Sequence, residues 1–316
     1  MLTRKMRKCN NKVMLNSVKY KGITWIDIQN PKPADIKHLR KNFNFHELVL
    51  EELMHPGHRP KVEHHDDYIF LILYYPAFNK IKKETFPREI DILVTKTHII
   101  TSHYEAIIPV KTLFEQISQY ATAKKEYMSE STGHLLFYIV NGILENALVK
   151  LEHIENEVNY IENEIFKGEE RRMVLEISVA KRDIIDFRRI LAPQASVIES
   201  LADDGLKFFG DELKPHFEDL RGTFGIVWNE IQDHRETIQA LAETNESLLS
   251  AKINEIIKVL TVFSIIVLPL TLVASIWGMN IDSMPLTSAN GFWVLIGIMA
   301  GMLVSMIGYF KKKRWL

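Results

Sequence analysis

The sequence predicts an α+β domain, a mixed sheet with flanking helices, that continues through one long stalk helix into a two-helix transmembrane hairpin. Three observations predict this. Two uncharged apolar stretches, residues 259–277 and 292–309, each come close to the ~20 residues that carry a helix across a bilayer. Residues 226–268 hold neither glycine nor proline, so one helix can run from polar sequence straight into the first stretch. Ahead of them, short apolar runs punctuated by proline and aspartate read as strands and turns.

Residues 23–28 (Ile-Thr-Trp-Ile-Asp-Ile) alternate as a strand does, and Asn30-Pro31-Lys32-Pro33 breaks them. Residues 35–43 read as a short amphipathic helix. Residues 68–75 form a continuous apolar run between Asp66-Asp67 and Pro76, suited to a buried strand, and 89–95 and 98–102 supply two more. From about Gly133 the period changes. Leu144, Leu148, Leu151, Ile154, Val158, Ile161 and Ile165 recur every three or four residues within a helix over 135–166. Its other face carries Glu152, Glu155, Glu157, Glu162 and Glu164. Lys167-Gly168 ends it, and a second helix over 169–191 runs back to Ala192-Pro193, making an antiparallel pair. Residues 199–217 read as a polar connector.

The stalk carries an apolar stripe. Val227, Ile238, Leu249 and Leu260 lie eleven apart, as do Ile231, Ala242 and Ile253. A lone helix cannot bury such a stripe. It packs inside its own domain or it self-associates about an axis. Self-association is favoured, because a single two-span hairpin offers no path through a membrane.

Charge sets the topology. Net charge is -1 over 316 residues, so no basic field draws the chain to nucleic acid. Cys9 is the sole cysteine, which excludes an intramolecular disulfide. Residues 1–12 are basic without a following apolar core and do not read as a secretory signal. Every acidic residue but Asp282 precedes Val259, while Lys311-Lys312-Lys313-Arg314 follows the second span. The positive-inside rule places that tail, and with it the N-terminal region, in the cytoplasm. The expected organisation is a cytoplasmic α/β domain over 1–132, a helical pair with an acidic connector over 133–225, a stalk over 226–258, and a hairpin with its loop and basic tail over 259–316.

The first span has a polar face. Asn254, Ile257, Thr261, Ser264, Leu268, Thr271 and Ser275 follow steps of three and four, and five of the seven are polar but uncharged. The second span offers only Ser305 and Tyr309, with Gly297, Gly301 and Gly308 suited to close packing or lipid. The bland alternative is that these hydroxyls merely bond their own backbone carbonyls. Neither span holds a charge, so recognition through an intramembrane ion pair is not expected. A neutral polar lining suits a cation that keeps its waters, as magnesium does. Asn280 fits at the mouth, its amide oxygen accepting from water on the ion. Leu260 and Thr261 compete for the inward position.

At these residues the chain resembles the CorA family of magnesium transporters. Pro269-Leu270-Thr271, Trp277-Gly278-Met279-Asn280 and Tyr309-Phe310-Lys311-Lys312-Lys313-Arg314-Trp315-Leu316 carry the resemblance, with Arg59-Pro60-Lys61-Val62-Glu63 and Asp66-Asp67-Tyr68 upstream. It implies a funnel-shaped homopentamer in the cell membrane that conducts Mg2+ and is gated by intracellular Mg2+ held between cytoplasmic domains. It implies Asn254 as a ring at the cytoplasmic end, Ile257 and Leu260 as a hydrophobic constriction, Thr271 as a polar ring, and Gly278, Met279 and Asn280 as the outer filter. Asp219 matches the place of a regulatory carboxylate, with Glu51 and Glu52 as candidate partners. Trp277 stands where the family often has tyrosine, and Asp282 is the only acid in the outer loop.

His55, His58, His64 and His65 gather around Glu63, but Pro56-Gly57 and Pro60 break the regular geometry that a zinc site needs, so they read as surface or interface histidines. No phosphate loop or nucleophile-with-base pattern stands out, and the chain does not read as an enzyme. Two alternatives to magnesium transport are carried forward. One is transport of Zn2+, Co2+ or Ni2+ in the same superfamily. The other is a membrane-anchored structural or signalling coiled coil.

Overall fold

The computed structural model describes residues 16–79, 81–279 and 289–315. Strands β1 (Asn16–Tyr20) and β2 (Ile23–Gln29) form a hairpin through Lys21-Gly22, both at positive φ, and α1 (Pro33–Asn42) and α2 (Glu47–Glu52) follow. Strands β3 (Lys61–His64), β4 (Tyr68–Asn79), β5 (Glu84–Thr95) and β6 (His98–His103) complete a six-stranded sheet of order β1-β2-β6-β5-β4-β3. Only β2 and β6 run parallel; every other neighbouring pair is antiparallel, so the sheet is mixed, as expected. Strand β1, helix α2 and strand β3 are absent from the sequence reading, because none has a run long enough to show a period.

Strands β4 and β5 outrun their expected ends at Pro76 and Glu89. Pro76 pairs with Pro87, so one opposed pair absorbs both missing N–H groups. Neither β3, which stops opposite Ile72, nor β6, which pairs with Asp91 to Val94, reaches that far. The prolines thus sit where no further strand asks for a donor.

The sheet is covered on both faces. Beneath α1 and α2, Ile26, Ile28, Phe70, Ile72, Leu93 and Ile100 pack with Leu39, Val49, Leu50 and Leu53. On the opposite face Trp25 Nε1 donates to Thr101 Oγ1 at 3.0 Å and its ring meets Phe114 edge-on at 5.0 Å. That phenylalanine belongs to α3 (Ile108–Gln119), which is followed by α4 (Ala121–Tyr127) and α5 (Thr132–Phe166). Ser131 caps α5, its hydroxyl accepting from the His134 N–H at 3.3 Å.

Gly168, at φ +94°, turns the chain into α6 (Glu170–Leu191). Arg172 reaches back to the Tyr160 hydroxyl at 3.0 Å, as an antiparallel pair requires. The connector expected over 199–217 is instead largely helical: α7 (Ala195–Asp203), α8 (Gly205–Phe209) and a 3-10 turn lead into α9 (Lys214–Trp277). Helix α9 therefore starts twelve residues before the expected stalk. Gly222 and Gly225 lie inside it, and buried Phe217, Leu220, Phe224 and Val227 offset their low helix propensity. Helix α10 (Ala289–Lys312) ends the described chain.

The chain divides into two compact units. One comprises the residues up to Gly168 together with Arg172–Leu241, and so unites the sheet with the helical pair. The other comprises Glu169–Arg171 and Ala242–Leu316.

Candidate ion pathway along α9

The apolar stripe of α9 is not one surface. Val227, Ile231 and Ile238 are fully buried inside the first unit, whereas Ile253 and Leu260 are 55% and 62% exposed. Packing within the domain claims the first half. Only the second half is left for self-association.

Two faces of the first span separate cleanly. Val262 is buried, and Lys258, Ile266, Pro269, Leu270, Val273 and Trp277 are half-buried. Lys258 Nζ donates to the Arg314 carbonyl at 2.9 Å, which puts the end of α10 beside this stripe. At about 100° per residue, the line Asn254, Ile257, Thr261, Ser264, Leu268, Thr271 and Ser275 is centred roughly 160° away. All seven are exposed. The polar face therefore points away from the chain's own second helix. Leu260, also exposed, and Thr261 flank the centre of that face by about 60° and about 40°.

The hydroxyls on this face have a fixed polarity. Thr261 donates to the Ile257 carbonyl at 2.8 Å, Ser264 to Leu260 at 2.9 Å and Thr271 to Val267 at 2.6 Å. The backbone bonding weighed as a bland alternative is present. It also has a chemical consequence: with each proton turned into the helix, the oxygen lone pairs face outward. A line of acceptors meets the protons of water around a cation. Pro269 removes one backbone donor mid-span, which membrane helices tolerate when nearby groups re-satisfy the carbonyl.

At the far end, the Gly278 N–H donates to Ala274 at 3.0 Å and the Met279 N–H to Ile276 at 3.2 Å, closing the last turn. Met279 is exposed. Gly278 does not take the positive φ that would require glycine. A Cβ there would meet the Ala274 carbonyl at 3.4 Å, an ordinary contact. Among the described residues, neither the turn nor a neighbouring atom demands glycine at this position. Asn280 and Asp282 lie outside the described residues.

The carboxylates separate into free and engaged. Asp219 and Glu51 are exposed. Glu52 is engaged within the fold: Lys61 Nζ lies 2.8 Å from its Oε2 and 2.6 Å from Glu63 Oε1. Burial opposes the charge on Lys61, but the hydrogen bonds it donates to Glu52 and Glu63 outweigh it and hold the lysine pKa above its ordinary value. Glu63 is likewise held below the carboxylate range, its burial overcome by Lys61. The histidines disperse. His55 meets the Glu51 carbonyl at 3.1 Å, His64 meets Ser200 at 3.4 Å, and His65 stacks on Tyr68 at 4.2 Å.

Comparison with known proteins bears on what such a face is for. Residues 20–312 match the family model described as "CorA-like Mg2+ transporter protein". The cobalt/magnesium transport protein CorA of Thermotoga maritima is 28% identical over 296 residues, covering 93% of this chain and 83% of that protein. The zinc transport protein ZntB of Yersinia pseudotuberculosis is 19% identical over 293 residues, covering 92% of this chain and 88% of that protein. The fold matches the complete structure of the CorA magnesium transporter from Methanocaldococcus jannaschii, with TM-score 0.81, 23% identity, and 96% and 95% of the two chains covered.

Proposed function

The chain belongs to the CorA-like Mg2+ transporter family, and on that premise we propose that it is a homopentameric, channel-like transporter of hydrated Mg2+ across the cell membrane. The observation that carries the reading is the acceptor-lined face of α9, turned away from α10 and leading to Gly278-Met279-Asn280. Copies arranged with that face inward give a pore that a single chain cannot form. Thr261, Ser264, Thr271 and Ser275 accept from the waters of the ion, and Asn254 does so at the cytoplasmic end. Ile257 and Leu260 close the path by dewetting. Asn280, with Gly278 and Met279, selects the hydrated ion at the outer mouth. Basic Lys311 to Arg314 keep both termini cytoplasmic by the positive-inside rule.

Intracellular Mg2+ is the proposed regulator. Exposed Asp219 supplies a carboxylate between neighbouring cytoplasmic domains, and Glu52, already held by Lys61, does not. Mutual repulsion loosens the ring when the ion leaves. The zinc-named relative makes Zn2+ the competing cargo, with Co2+ and Ni2+ beside it. The face of α9 carries no Cys, His or carboxylate, the ligands that strip water from a transition metal, and this favours Mg2+. A membrane-anchored signalling protein would leave the hydroxyl line unused.

Ion-specific flux into proteoliposomes tests the proposal. Wild-type protein should pass Mg2+ ahead of Zn2+. Asn280→Ala should assemble as a pentamer by native mass measurement and lose selective Mg2+ uptake. Asp219→Asn should weaken inhibition by internal Mg2+. Normal Mg2+ flux through an assembled Asn280→Ala protein rejects the filter, a stable dimer rejects the pore, and unchanged inhibition removes Asp219 from the regulatory site.

A further inference from the structure

The sheet carries a buried polar cluster outside the proposed ion pathway. Asp91 sits mid-strand on β5 and is 3% exposed. Its cross-strand neighbours are Ile72 on β4 and Ser102 on β6, and Lys61 on β3 stands opposite Ile72. The row Lys61, Ile72, Asp91, Ser102 thus crosses the face that α1 and α2 cover. Asp91 Oδ1 and Ser102 Oγ are both buried without a hydrogen-bond partner among the described residues. An ionised carboxylate left so would bear a desolvation penalty of several kcal/mol.

The titratable or charged groups around the cluster are Glu52 from α2, His58 from the segment after α2, Lys61 and Glu63 from β3, Tyr74 from β4, Arg88 and Glu89 from β5, and Tyr104 and Glu105 from the segment after β6. Among the described residues the nearby cations are already engaged: Lys61 is shared by Glu52 and Glu63, and Arg88, on the cavity wall beside Glu89, is paired with Glu105 at 2.9 Å. Burial pushes the Asp91 carboxyl well above the ordinary range, and Glu89 and Glu52 push it further against the pull of Lys61. The Tyr74 hydroxyl is pushed up to about 12, first by burial and then by Glu89.

The segment over residues 53–60 is latched beside this cluster. Glu89 Oε2 accepts from the Gly57 N–H at 2.6 Å and from the Tyr74 hydroxyl at 3.2 Å. The single Tyr74 hydroxyl proton is shared between that oxygen and the His58 carbonyl, and Tyr104 donates to the Leu53 carbonyl at 3.2 Å. A cavity of about 320 Å3 opens beside the latch, lined in part by Gly57, Tyr74, Glu89 and Tyr104.

We propose that Asp91 is a proton-binding site, a neutral carboxylic acid in the closed fold, and that loss of its proton releases the latch over residues 53–60. The O–H bond of the acid breaks and the proton leaves to bulk water. The new carboxylate lies beside Glu89 and Glu52 with no spare cation. Repulsion then acts on Glu89, whose oxygen holds Gly57, and the segment lifts to let water reach the charge. The sign follows from linkage. The folded chain keeps a proton that the unfolded chain has released, so stability is full below the ordinary Asp value and falls as pH rises through the raised one.

Hydrogen exchange of the full-length protein in nanodiscs tests this, comparing wild type with Asp91→Asn at each pH so that intrinsic exchange cancels. The two should match at acid pH. As pH rises, wild type should exchange progressively faster over 53–60 and melt a few degrees lower than Asp91→Asn. Should the asparagine protein fail to fold, Asp91→Ser takes its place. Infrared spectra of wild type should also show a protonated carboxyl band at neutral pH that either variant removes. Equal exchange of wild type and variant across the pH range overturns the proposal. So does an Asp91 that is ionised at neutral pH and becomes protected only when Mg2+ is added, which would make the site a cation site.

Discussion

Among the described residues three helical stretches are apolar and long enough to cross a membrane, and two of them invite comparison. The apolar window within α5 is 56% buried inside the fold; that within α9 is 6% buried. Leu135, Leu136 and Ile139 of α5 are at most 1% exposed, whereas Leu268 and Leu272 of α9 are 68% and 60% exposed. Helix α5 lies on the sheet and α3, and its glutamates occupy the side left over. The span of α9 has no charge on any side and one narrow stripe next to α10. Apolar length alone therefore does not distinguish a core helix from a span. The charge on the opposite face does, because lipid surrounds a helix and a sheet covers only one side.

The sharpest way to break this comparison is one truncation made in both places. Leu135→Ala should destabilise the sheet unit by about 2–5 kcal/mol, through lost burial and an unfilled cavity. Leu268→Ala should leave unfolding of that unit within about 0.5 kcal/mol and alter ion flux instead. Chemical denaturation followed on the sheet unit, with flux in parallel, distinguishes them. Comparable losses of stability at the two positions would show that the α9 face is packed as a core.

A smaller effect sharpens the contrast within α9. Leu260→Ser should raise leak at high internal Mg2+ without lowering the unfolding midpoint. If Thr261→Ser or Thr261→Val raises leak and Leu260→Ser does not, the helix is rotated so that Thr261, nearer the face centre, points inward. The smallest effect lies at the start of α5. Ser131→Ala should cost about 1 kcal/mol by removing the acceptor for the His134 N–H, and should leave transport intact. A change in flux with unaltered stability would mean that α5 is coupled to the pore.

Much was legible from residue order alone. The two apolar C-terminal helical stretches, the long helix that includes the first, the mixed sheet and the antiparallel pair follow from period, charge and the placing of glycine and proline, which are local properties. The polar line from Asn254 to Ser275 is equally local, because helical spacing puts those residues on one face wherever the helix goes.

What only the tertiary structure decided concerns partners. Val227 and Leu260 belong to one eleven-residue repeat, yet one is buried by its own domain and the other is not. No window of sequence contains the surfaces that make that difference. The same holds for Glu52, which a lysine nine residues away claims, and for the hydroxyl protons of Thr261, Ser264 and Thr271, whose direction sets an acceptor face. Asp91 stands between. An aspartate inside an otherwise apolar strand is visible in the sequence as a contradiction, since a charge does not belong in a sheet core. That Glu52, Glu89 and a shared lysine surround it depends on three separate elements meeting on one face, and only the folded sheet brings them there.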